Sequence, residues 1–282
     1  MIFSEREGFV SPKLLQRDEL DEATRNRILN YLNRYFDALK NIDYHEDEDN
    51  SSNLLYFLVD KRGQLNQGDH RNRSHILQIV KDEEWYKIFD LLEDIIAYAL
   101  RHEIPFYNEH INEILEEEKV AYRLFPITLG EEKSFIFTSI VNDAEYSEVK
   151  RAANTNIPAV DENINKAILL FSDRKNPDYA NAVKESVSAV ESLCKNLIKN
   201  DDKASLSELF KKLSIKNIRV HPSLQSACKK LYGYASDSDN VRHGGSKPSD
   251  ITEEEALFMI VTCSAIVNYI KSLCDAVVKP EE

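Results

Sequence analysis

Cleaving RNA without a metal requires a base that takes the 2′-hydroxyl proton and a cation that holds the phosphate as charge builds. Arg242-His243 supplies both groups side by side, and Gly244-Gly245 follows directly. Histidine suits the proton transfer because its unperturbed pKa is about 6.5, near operating pH. Arginine suits the phosphate because its planar fork matches phosphate oxygens and stays charged. The glycines let backbone come close to a ligand. Lys184, Glu185 and Glu191 fall on one predicted helix. Lys184 and Glu191 are seven apart and share a face, so they are candidates to frame the same cleft, as is Asp237. A structural reading stays open beside each of these. Arg242 can pair with Asp237 or Asp239, His243 can cap a helix, and Lys184 and Glu191 can serve in surface or interhelical ion pairs. His221-Pro222 reads as a helix start.

Other residue groups offer less. Lys195, Lys199, Lys203, Lys211, Lys212, Lys216, Arg219, Lys229 and Lys230 form a basic stretch diluted by Glu191, Asp201, Asp202 and Glu208. A polar loop is expected over residues 60–75, carrying Lys61, Arg62, His70, Arg71, Arg73 and His75. Each group reads either as a solvated face or as a surface that tracks RNA. His70 and His75 lack the companion ligands of a zinc site. The acidic run at 43–49 lacks the glycine and spacing of a calcium loop. No phosphate-binding glycine loop is present. The sequence thus calls for no metal and no cofactor.

The elements that must position these residues are mainly helical. Among 282 residues only 7 are Gly and 8 Pro, too few turn-makers for many short strands. Helical spacing is clear over 21–40, 157–172 and 178–199, and over a long last helix whose expected buried stripe is Leu257, Ile260, Val261, Ser264, Val267 and Ile270. A helix to about His102 is expected to be capped by Asp82, and another to follow Pro105 and end in Glu116–Glu118. Pro222 opens a helix ending near Tyr234. Ser205-Leu206-Ser207-Glu208 and Thr252-Glu253-Glu254-Glu255 read as capping boxes. Loops are expected over 43–53 and 235–250. Leu54–Val59 is apolar without a clear period. Val120–Phe125 reads as a short strand, and Thr128 as the cap of a helix through Phe135 and Ile136.

Charge divides the chain. Residues 1–150 hold 18 Lys/Arg against 31 Asp/Glu, a net −13, whereas residues 151–282 hold 18 of each, a net of zero. The split suggests domains at 1–150 and 151–282. An acidic whole argues against generic nucleic-acid binding, while a neutral second half leaves room for a local basic surface. The four cysteines, Cys194, Cys228, Cys263 and Cys274, form no C-x-x-C pair and read as reduced thiols in a cytoplasm. The N-terminus has no signal-peptide core, and no apolar run approaches the roughly 18–20 residues of a membrane span.

Four segments in order carry a family resemblance. Phe3-Ser4-Glu5-Arg6-Glu7-Gly8 with Glu22-Ala23-Thr24-Arg25-Asn26, and then Tyr122-Arg123-Leu124-Phe125-Pro126-Ile127-Thr128, resemble the N-terminal domain of AbiJ-type abortive-infection proteins. Arg174-Lys175-Asn176-Pro177-Asp178-Tyr179, running into Lys184–Glu191, resembles the C-terminal HEPN-type domain of such proteins. So do His221-Pro222, Leu231–Tyr234, Ser236-Asp237, Val241-Arg242-His243 and Cys263–Tyr269. The resemblance implies a mainly α protein: an N-terminal helical domain with a short β element, regulatory or sensing, and a C-terminal HEPN-like helical bundle. It also implies a role in antiviral defence, a homodimer with an Arg-His pair in the shared cleft, and metal-independent RNase or RNA-binding activity. Partner antitoxins or other defence-system proteins accompany many such domains. Where a nucleotidyltransferase is the antitoxin, Tyr232, Tyr234 or Tyr269 would be its targets. The chain departs from the pattern in one respect. Active HEPN RNases generally carry Arg, four to six residues, then His, and no histidine here has an arginine at that upstream spacing. Endoribonuclease activity and non-catalytic binding of a protein or nucleic-acid partner therefore stand as alternatives.

Overall fold

The computed structural model describes residues 7, 9, 13–40, 50–140, 142–173, 175–198, 206–215, 217–237 and 251–278, the side chains of 206, 207, 236, 237 and 276–278 excepted. The protein is mainly α. Its described helices are α1 (Glu22–Leu39), α2 (Asn50–Lys61), α3 (Asp69–Asp82), α4 (Trp85–Arg101), α5 (Asn108–Glu117), α6 (Asp143–Ala152), α7 (Pro158–Ser172), α8 (Tyr179–Ile198), α9 (Leu206–Ile215), α10 (Pro222–Asp237) and α11 (Glu253–Val278). Strands β1 (Arg123–Leu129) and β2 (Glu132–Thr138) form one hairpin. The chain divides into two units, one of residues 1–125 with 134–141, the other of 126–133 with 142–282.

In the first unit, α1 begins where Asp21 accepts the Thr24 N–H at 2.9 Å, satisfying a free donor of the first turn. Ile28, Leu32 and Phe36 then repeat on one face and are fully buried with Leu54, Leu58, Ile76, Leu92 and Leu115 from the other helices. Gln16 anchors the segment before α1. Its backbone bonds Lys119 O and receives Ala121 N–H, both at 2.8 Å, and its side-chain amide reaches Thr24 Oγ1 at 2.9 Å.

The second unit is organised on α8, which packs against α7, α9, α10 and α11. Its buried face includes Ala182, Ser186 and Ala189, small residues that let neighbouring helices approach. The last helix opens with the expected capping box: Thr252 N–H donates to Glu255 Oε2 at 3.0 Å and Glu255 N–H to Thr252 Oγ1 at 3.2 Å. Ile260, Ser264, Val267 and Ile270 are buried as the spacing predicts, but Leu257 and Val261 are half-buried. Ala256, Met259, Cys263 and Asn268 complete the stripe. Asn268 Nδ2 bonds Glu148 O of α6 at 2.9 Å. The stretch Glu253–Asp275 is long and apolar enough to cross a membrane, closer to a span than the sequence reading allowed. It packs on α6, α7 and α8, and the stripe buried there joins the core of the unit.

Several local expectations are corrected. Residues 50–53 and Leu54–Val59 belong to α2, not to a loop and an undefined segment. Residues 69–75 are the first half of α3, so the polar loop shrinks to 62–68. Asp82 is the last residue of α3, and Glu84 precedes α4 instead. Thr128 caps no helix. It lies in β1, and Phe135 and Ile136 lie in β2. Gly130, with φ +61°, makes the two-residue reversal at the position where a type II′ turn takes glycine. Val120 makes only an isolated bridge with Gln16 before β1 begins. Ser205 and residues 43–49 and 238–250 lie outside the described residues.

Replacing Thr252 with Ala removes one side of the capping box and is expected to cost about 1 kcal/mol of stability. Thermal or urea denaturation checks this, and an unchanged midpoint would show that the cap contributes nothing.

Candidate functional site

Arg242, His243, Gly244 and Gly245 lie outside the described residues, as does the side chain of Asp237, which ends α10. What the structure defines is how the chain enters and leaves that segment. Tyr234, three residues from the end of α10, hydrogen-bonds the Glu255 carboxylate in the first turn of α11. Burial, then the charge and hydrogen bond of Glu255, raise the Tyr234 pKa above the usual phenol value. Glu255 also closes the capping box, so one carboxylate links the end of α10 to the start of α11.

Lys184 is exposed on α8, and Glu185 and Glu191 are half-buried. Lys184 and Glu191 are about 10 Å apart along the helix axis, too far to pair with each other. Neither makes an ion pair among the described residues. Glu185 faces α7. There Lys166 pairs with Glu162 at 2.6 Å, and that pair, with the charge of Glu185 adding to it, raises the Lys166 pKa. Of the basic stretch, Lys211 and Lys229 lie on α9 and α10, while Lys199, Lys203 and Lys216 fall outside the described residues.

One concavity of the first unit was not singled out from the sequence. It is an open cleft of about 600 Å³ between the end of α2, α3 and α4. Asp94 sits in it and takes both Lys61 Nζ at 2.5 Å and Arg62 NH2 at 2.9 Å. Lys87 pairs with Glu83 at 2.5 Å. Three cations are thereby committed to two carboxylates, leaving little positive charge for phosphate. Glu93, at the same wall, accepts the Phe137 N–H at 3.2 Å. Burial pushes its carboxyl above the usual range. Asp90 and Asp94 add to the push, and the Phe137 N–H and Lys61 work against it. Asp90, Glu93 and Asp94 recur at helical spacing on the polar side of α4, a signal the sequence held but that reads as a solvated face.

No group of three or more metal-ligating side chains comes together among the described residues. The four cysteines are free. Burial pushes the Cys194 and Cys263 thiols up to about 12, so they stay protonated and serve as packing groups.

Residues 1–129 match the family model described as AbiJ N-terminal domain 4. The N-terminal domain is AbiJ-like. That match associates the chain with abortive infection and antiviral defence. No curated protein and no solved structure matches the chain.

A raised carboxyl pKa means the folded state holds the proton more tightly than the unfolded chain. Its contribution to stability is therefore full at low pH and is lost as pH rises through the folded pKa. Glu93→Gln removes the ionisation while keeping an oxygen to accept from Phe137. The variant is expected to melt at a higher temperature than the parent at pH 7.5, with the gap closing toward pH 4. A gap that stays constant across that range would show that Glu93 is not the titrating group.

Proposed function

We propose that this protein is an abortive-infection effector in which the AbiJ-like N-terminal domain regulates a HEPN-like C-terminal domain that acts on RNA. The observation that carries the defence assignment is the match over residues 1–129. Support for action on RNA comes from the sequence: Arg242-His243 beside Gly244-Gly245, in a segment entered and left through helix ends that Tyr234 and Glu255 join. In this reading Arg242 holds a phosphate oxygen. His243 takes the 2′-hydroxyl proton, the 2′-oxygen attacks the adjacent phosphorus, and the 5′-oxygen leaves and is protonated. Lys184, Glu185, Glu191 and Asp237 would frame the cleft. A homodimer would bring two such pairs together, and a monomer mass by sedimentation at micromolar concentration would remove that part.

A second reading is favoured by one specific observation: no histidine follows an arginine with four to six residues between them. In that reading the C-terminal domain binds RNA or a protein partner and acts by occupancy.

Incubating purified protein with transfer RNA and total RNA separates the two. Arg242→Ala and His243→Ala are each expected to slow cleavage by about 100-fold or more, the scale of a lost acid–base or charge-stabilising group. Equal cleavage by all three proteins would remove the site. Growth arrest on expression that persists in His243→Ala, with no cleavage by any of them, would select the occupancy reading.

A further inference from the structure

Sorting the basic side chains around α3 by what they touch separates two sets. Lys61 and Arg62 are held by Asp94, and Arg73 is held by Asp37 at 2.5 Å and by Asn33 Oδ1 at 2.9 Å. The side chains of Arg71, His75 and Lys81 make no hydrogen bond or ion pair among the described residues, and all three are exposed. They share the outer face of α3 with Ser74 and Gln78, recurring at the i, i+3, i+4, i+7 spacing of one helical stripe. From Arg71 to Lys81 the stripe runs about 15 Å along the helix axis.

This stripe is the ridge between two concavities. One, of about 310 Å³, lies toward the end of α2 and the following loop, where Gln64 and Gln67 join Arg71 and His75. The other, of about 510 Å³, lies toward α1, where Asn26, Asn30 and Asn33 face Lys81. Ser74 and Gln78 line both, so the two flank α3 side by side. Neither is lined by a carboxylate, in a half of the chain that carries a net −13 over residues 1–150. Of the nearest acids along α3 and α1, Asp37 is neutralised by Arg73, whereas Asp82 and Asp69, at the two ends of α3, accept from the uncharged Gln78 amide and Ser52 hydroxyl and keep their charge outside the two linings.

Range decides whether the acidic remainder matters. At physiological ionic strength charges are screened beyond about 8 Å, so the lining of a groove outweighs the net charge of the domain. A lining of free cations and amides without carboxylates suits a phosphodiester backbone. Asparagine, glutamine and serine side chains that both donate and accept suit the 2′-hydroxyl, the group that distinguishes RNA from DNA.

We infer that the outer face of α3, with the two concavities beside it, is a docking surface for single-stranded RNA. The surface lies wholly within the first unit and goes beyond the role proposed for Arg242 and His243.

The test uses the full chain carrying His243→Ala, so that bound RNA stays uncut and binding is read apart from cleavage. Fluorescence anisotropy follows a labelled single strand of about twelve nucleotides, within the site sizes of single-strand binders. Adding Arg71→Glu and Lys81→Glu is expected to weaken binding by about tenfold or more and to flatten its dependence on salt. Arg101→Glu, the same charge change as each single reversal but on exposed α4 surface, is expected to leave binding unaltered. DNA of the same sequence is expected to bind more weakly. Binding that withstands both α3 reversals, or that is equal for RNA and DNA, overturns the inference. Unchanged melting of the variants shows that the exposed substitutions left the fold intact.

Discussion

An acidic protein can meet an anionic polymer only where its own carboxylates are absent or already neutralised, and in the first unit three carboxylates are held by cations. Glu118, at the end of α5, receives Lys13 and, at 3.0 Å, Arg27. Asp94 receives Lys61 and Arg62, and Asp37 receives Arg73. Glu118 and Asp94 are mostly shielded from solvent, with side-chain exposures of 13% and 15%. Such pairs are screened less than surface pairs, and breaking one leaves a shielded charge without its partner. These cations are therefore part of the fold. Counting basic residues along the chain overstates the charge on offer to a ligand, and Arg71, His75 and Lys81 count for more than their number because nothing within the described protein holds them.

The same pairs also assemble the unit. Lys13 and Gln16 carry the segment before α1 onto the end of α5, where Gln16 Nε2 bonds Glu118 O at 2.6 Å. In the second unit neutral side-chain donors make buried polar contacts as well. Asn165 Nδ2 bonds Asp161 O at 2.8 Å, Ser186 Oγ bonds Ala182 O at 2.8 Å, and Asn268 joins α11 to α6. The first two lie within single helices and satisfy buried donors there, whereas Asn268 joins two helices; an unsatisfied buried polar group costs about 1–3 kcal/mol, so that contact sets how α11 sits on α6.

The helices that were legible in the sequence are those with a continuous apolar face. α1 buries Ile28, Leu32 and Phe36, and α8 buries Val183, Val187 and Val190. The first half of α3 was not legible because Asn72 is its only buried residue before Ile76, and it starts after Gly68 without a side-chain cap. Its polar face, which makes it look like a loop, is what gives it an open groove on each side. The β1–β2 hairpin was missed for another reason. Phe135, Ile136 and Phe137 are consecutive and all half-buried, so the two-residue alternation of a strand is lost. Gly130 was the available signal. Of the candidate site, Arg242-His243 can be singled out from residue type, though it lies outside the described residues, whereas the contact of Tyr234 with Glu255 cannot be read from the sequence because it joins two helices.

Whether this chain handles RNA at all is measured most directly by ultraviolet crosslinking of the intact protein to single-stranded RNA, followed by mass spectrometry of the crosslinked peptides. The account predicts adducts in two places, on α3 between Arg71 and Lys81 and in the segment containing Arg242 and His243. Adducts at background level throughout, or confined to other surfaces, would contradict it.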